Sequence, residues 1–144
     1  MQIENSANKN SNRGKGRLTN EEWQQRVRYV LRHLEDPIAL QRSPLCKLGT
    51  LERLAEIKYP NGVVSRGRAL RDLIQSCLHE IETELDGFSG INKLKLFIRH
   101  TREGEGLSEA SRSVGVTPEH ASRTYKKQLL DLLTQKLLFK FRED

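Results

Sequence analysis

Two cysteines, four prolines, one tryptophan and one methionine are all that the 144 residues hold of those types. Cys46 and Cys77 are too few for a disulfide framework or a four-cysteine zinc site. Each lies in an apolar-periodic stretch, so both read as buried, reduced thiols. No run approaches the roughly 18 uncharged apolar residues that cross a bilayer, and Met1 to Arg17 lacks the apolar centre of a secretory signal. A soluble, cytoplasmic protein with no membrane partner is expected. His33, His79, His100 and His120 are scattered, without a His-Glu-x-x-His or paired Cys/His spacing, which argues against a metal site. Phosphate-cradling glycine motifs and the nucleophile elbow Gly-x-Ser-x-Gly are missing too, so nucleotide and acyl chemistry have no support. Neither an enzyme nor a cofactor is expected.

Charge is plentiful. The chain carries 25 Lys+Arg against 19 Asp+Glu, a net charge of +6, with a pI near 9.5; that balance favours an acidic partner. The excess is uneven: residues 1–18 sum to +3, residues 19–86 to −1 and residues 87–144 to +4. Residues 1–18 are rich in Asn, Ser, Gly and Lys and nearly free of apolar side chains. They cannot bury enough surface to offset the entropy of ordering, and read as a disordered basic arm.

Helical punctuation fills the remainder. Thr19-Asn20-Glu21-Glu22 is a capping box, followed by Trp23, Val27, Val30, Leu31 and Leu34 at helical spacing until Asp36-Pro37 stops the run. Ser43-Pro44 offers a second start, Gly49-Thr50 opens a helix from Leu51 to Tyr59, and Pro60-Asn61-Gly62 turns the chain. Leu70, Leu73, Ile74, Cys77, Leu78, Ile81 and Leu85 mark the core helix of this half, closed by Asp86-Gly87. Glu80, Glu82 and Glu84 on it read as a solvated face. Gly62-Val63-Val64 is too short to found a sheet, so the fold class is all-α: a helical bundle over residues 19–86 and a second unit over 87–144. The second unit opens after the Gly87-Phe88-Ser89-Gly90 break with a helix from Ile91 to about Arg102.

The informative segment runs from Leu107 to Arg123. It reads as a short helix over Ser108 to Val114, a turn at Gly115, and a long helix with Thr117 as cap and Pro118 in its first position. Two helices crossing this tightly need a small residue at the crossing, a glycine in the turn and an apolar residue after it; Ser111, Gly115 and Val116 stand there. Ala110, Val114, Ala121 and Tyr125 face inward. Glu119, Ser122, Arg123 and Lys126 form an outward stripe. At these residues the chain resembles the helix-turn-helix superfamily, most closely the fourth region of sigma factors and the DNA-binding domains of response regulators, over about Ile91 to Leu133. The resemblance implies that Ser108 to Val114 positions and Pro118 to about Leu137 recognises. Glu119, Ser122, Arg123 and Lys126 would then read base edges, and Lys93, Arg112, Thr117 and Lys127 would hold phosphates of double-stranded DNA. Two positions depart from the pattern: Ser111 replaces the usual alanine, and Thr124 replaces a larger aliphatic residue, which leaves the packing to Tyr125 or Leu129. Arg32-His33-Leu34-Glu35-Asp36-Pro37 is also similar to a helical segment of bacterial signalling and regulatory proteins.

From Leu129 to Phe141 the apolar residues exceed one helix face, so the first-half bundle, a second copy of the chain or a protein partner must cover them. Phe139-Lys140-Phe141-Arg142 alternates, which would suit a short terminal strand. These observations favour a DNA-binding regulator, with a helical adaptor that docks protein through the last helix as the alternative.

Overall fold

The computed structural model describes residues 19–85 and 92–142. The basic arm and the Gly87 to Gly90 break lie outside the described residues. The fold is all-α. Its elements are α1 (Asn20–Arg32), α2 (Pro37–Gln41), a single 3₁₀ turn (Pro44–Lys47), α3 (Gly49–Lys58), α4 (Ser65–Glu84), α5 (Asn92–Arg102), α6 (Leu107–Ser113), α7 (Pro118–Ala121) and α8 (Lys127–Lys140). A wide π turn, Ser122–Lys126, joins α7 to α8 so that the two run on as one helix.

Local chemistry sets the starts. At α1, Thr19 Oγ1 accepts from the Glu22 N–H at 3.1 Å and Glu22 Oε1 accepts from the Thr19 N–H at 2.9 Å, closing the capping box. Asp36-Pro37 does more than stop α1. The Asp36 carboxylate accepts from the Ala39 N–H at 3.2 Å, and Pro37, whose missing N–H costs nothing in the first turn, opens α2. Ser43-Pro44 nucleates only the 3₁₀ turn, with Ser43 Oγ accepting from the Leu45 N–H.

The 20-residue α4 is the axis of the molecule, with α2, α3, α5 and α8 packed against it. Its crossing with α2 is made at Gly67. A Cβ there would lie 2.0 Å from the Pro37 carbonyl oxygen, so only glycine lets the two backbones meet. The Gly67 N–H donates to Gln41 Oε1 at 2.7 Å across the same contact. Cys46 and Cys77 are free and buried, and burial pushes each thiol up to about 11, which leaves them poor nucleophiles.

The three glutamates of α4 do not share a face. Residues two apart on a helix point in nearly opposite directions, and the expected solvated row is corrected at its middle member: Glu82 is 3% exposed. It accepts from Arg99 Nε at 3.1 Å and from Arg102 Nε at 2.6 Å, both on α5. Glu80 and Glu84 instead meet Lys136 of α8, and Glu80 also meets Lys140.

The bundle covers most of the apolar excess of the last helix. Leu129, Leu130, Leu133, Leu137 and Phe141 are buried in one cluster with Trp23, Val27, Val30, Leu70 and Leu78. The Trp23 and Phe141 rings stack at 5.9 Å. Leu138 and Phe139 stay exposed. The terminal strand suggested by alternation is absent among the described residues: α8 continues through Lys140, and Phe141 is the buried residue that closes it.

Candidate nucleic-acid interface

The corner between α6 and α7 is built from three small buried residues. Ala110, Ser111 and Ala121 have no exposed surface, which lets the second helix cross close to the first, and Val114 fills the angle between them. Serine is tolerated at 111 because its hydroxyl donates to the Leu107 carbonyl one turn back, at 2.6 Å. The end of α6 is a Schellman turn. The Val116 N–H reaches the Ser111 carbonyl at 3.0 Å and the Gly115 N–H reaches that of Arg112 at 3.1 Å, with Gly115 at φ +79°. Nothing lies within 4 Å of where a Gly115 side chain would begin. Gly115→Ala is therefore expected to cost only the left-handed backbone penalty, roughly 1–2 kcal/mol, with Gly115→Asn less harmful; urea melts of the two variants check this order.

Directly after the turn, Thr117 Oγ1 accepts from the His120 N–H at 3.1 Å and fixes the start of α7. Ala121 anchors the back of this turn, while Thr117, Pro118, Glu119, His120, Ser122 and Arg123 are all exposed. Tyr125 takes over the packing that Thr124 cannot supply, half-buried with its ring 6.0 Å from Phe97 and edge-on to His120 at 5.6 Å. Leu129, one turn on, is buried.

The wide turn changes which residues share the outward stripe. Glu119, Ser122 and Arg123 stand out together, but Lys126 does not join them. It is half-buried and lines the seam against α1 with Leu31, Arg32, Phe97 and Leu129. Burial lowers its pKa below the ordinary lysine value, and Arg32 and Arg28 lower it further. Lys126, expected to read bases beside Glu119, Ser122 and Arg123, thus stands apart from them against α1, on the far side of the widened turn. Of the residues expected to hold phosphate, Arg112 on α6 and Lys127 at the start of α8 are exposed near the corner, Thr117 is exposed and accepts the cap bond with its hydroxyl oxygen while its O–H can still donate, and Lys93 is exposed on α5.

The sequence contained one signal for this turn. Ala121, Tyr125, Leu129, Leu133 and Leu137 recur every four residues, and in an α-helix such a row drifts about 40° per step. A wider turn takes up part of the drift and keeps the row on the core.

Among the described residues, His100, Glu103 and Glu105 bring one ligating atom each within 4.8 Å of one another at the end of α5. His100 Nδ1 lies 3.0 Å from Glu105 Oε2, an ion-pair geometry that ties the loop back onto α5. Comparisons with models of known protein families, with characterised proteins and with solved structures returned no match to this chain.

Proposed function

We propose that the chain is a DNA-binding transcriptional regulator that enters the major groove with the front of α7. The supporting observation is a helix start that is packed from behind, by Ala121, Tyr125 and the Thr117 cap, and bare in front, at Glu119, Ser122 and Arg123. A helix end buried against the protein could not read anything; this one presents a carboxylate, a hydroxyl and a guanidinium, the groups that pair with base edges. Arg112 and Lys127 flank it with positive charge for the phosphates. No cofactor is needed for such binding.

Selection from a random duplex pool over a salt series tests the reading. The parent chain is expected to enrich particular sequences and to weaken steeply as salt rises, because phosphate contacts release counterions. Arg123→Ala is expected to lose about 5- to 150-fold in discrimination, the equivalent of about 1–3 kcal/mol for one base contact. Equal losses on every sequence would remove Arg123 from the reading set, and no binding at low salt would overturn the proposal. In that event the exposed Leu138 and Phe139 at the end of α8 favour the second reading, a helical adaptor or homodimer that docks there.

A further inference from the structure

A cleft of about 270 Å³ opens between α1, the loop after α5 and the start of α8. Leu31, Leu34, Phe97, Leu107 and Leu129 line it together with two cations, Arg32 and Lys126, and two acids, Glu35 and Glu105. Small-molecule sites combine these features, an apolar body of space with a few convergent polar groups. The volume is that of a compact ligand, not of a peptide or a nucleotide.

Lys126 is the cation of the cleft that is half-buried. Among the described residues no carboxylate forms an ion pair with Lys126, Arg32 or Arg28, and the two arginines already disfavour the lysine charge. Arg28 and Arg32 are exposed and screened by solvent, which leaves the half-buried Lys126 as the cation that gains most from a counter-charge. The cleft's own acids do not supply one: Glu105 is engaged by His100, and Glu35 lies against Gly104 on the loop side, close enough that a side chain at Gly104 would meet its carboxylate at 2.8 Å. Both acids belong to the loop side, so an anion fits only with its single charge beside Lys126 and an apolar body toward the leucines and Phe97.

We infer that this cleft binds a small amphipathic monocarboxylate, its carboxylate on Lys126 and Arg32 and its hydrocarbon part on Leu31, Phe97 and Leu129. A ligand seated there bridges α1 and the wide turn that carries the exposed front of the last helix. The inference is independent of DNA binding, since neither the cleft nor the ligand involves Glu119, Ser122 or Arg123.

The test is an amide ¹H–¹⁵N titration of the full chain, without DNA, using 4-methylpentanoate, 3-methylbutylamine and inorganic phosphate as probes. The carboxylate is expected to give saturable shifts centred on Leu31, Phe97, Leu107 and Leu129. The amine, with nearly the same hydrocarbon and the opposite charge, and phosphate, with no hydrocarbon, are expected to leave those amides unshifted. Lys126→Gln should weaken the carboxylate about tenfold, the size of one charge-assisted hydrogen bond. Arg32→Gln, at an exposed position that carries no core packing, should weaken it in the same direction. Absence of saturable shifts in the parent, equal response to the amine or to phosphate, or full affinity in both variants would overturn the inference.

Discussion

Gly67→Ala is expected to lower the stability of the chain by about 2–3 kcal/mol and its Tm by roughly 5–10 °C. The added methyl would lie 2.0 Å from the Pro37 carbonyl oxygen and 3.0 Å from the Gln41 nitrogen, both main-chain atoms. Neither can rotate aside. To restore ordinary contact α2 must retreat from α4 by about an ångström, and in retreating it loses the Gly67 N–H to Gln41 bond and loosens Ala39 and Leu40, which are buried in that contact. Alanine favours a helix over glycine by about 1 kcal/mol, which offsets part of the loss but not its larger share. Denaturant and thermal melts of Gly67→Ala beside Gly115→Ala separate a steric cost from a backbone one. A Gly67→Ala chain that melts like the parent would show that the two helices do not approach this closely.

Glu82→Gln is expected to destabilise by about 2 kcal/mol and to flatten the response to acid. Removing one partner of a fully buried ion pair costs about 3–5 kcal/mol, because the other charge is stranded. Here the Arg99 and Arg102 side chains are 44% and 29% exposed and can be rehydrated, so the smaller figure for lost charged hydrogen bonds applies. Burial pushes the Glu82 carboxyl upward, but the hydrogen bonds and charges of Arg102 and Arg99 outweigh it and hold the pKa below the ordinary glutamate value. A carboxyl that is more acidic folded than unfolded stabilises the fold fully above the unfolded value, about 4.3, and that contribution is lost as pH falls through the lower folded value. The parent should therefore lose stability below about pH 4.5 more steeply than Glu82→Gln. Glu80 moves in the same direction, where Lys136 and Lys140 overcome the effect of burial, and it remains in both proteins, so the difference between their curves belongs to Glu82. Parallel curves from pH 7 to 3 would contradict this account.

What could be read from the sequence was what lies within a turn or two of chain. Thr19 with Glu22, Thr117 with Pro118, and Gly115 each specify a helix end through bonds to their own neighbours, and the structure has those ends. The stripe from Leu70 to Ile81 likewise announces α4 without help from elsewhere. Asp36-Pro37 is ambiguous at that range, since the same pair ends one helix and caps another. Gly67 and Glu82 were illegible for a different reason. One is required by Pro37 and the other is neutralised by Arg99 and Arg102, partners that a local pattern cannot name. At the candidate interface the cap, the turn and the inward residues were legible, while the register of Lys126 was not, because it depends on five residues of widened helix.

The common core has a consequence for how such a chain can be inherited. Leu129, Leu133 and Leu137 share one cluster with Val27, Val30 and Leu78, so the helix that continues from the corner stands on residues laid down about fifty to a hundred positions earlier. Cut out and joined to another protein, α5 to α8 would carry bare the leucines that α1 and α4 now cover. A unit of this kind is not a cassette. It can be duplicated or lost from Trp23 to Phe141 as a whole, but not shuffled in halves.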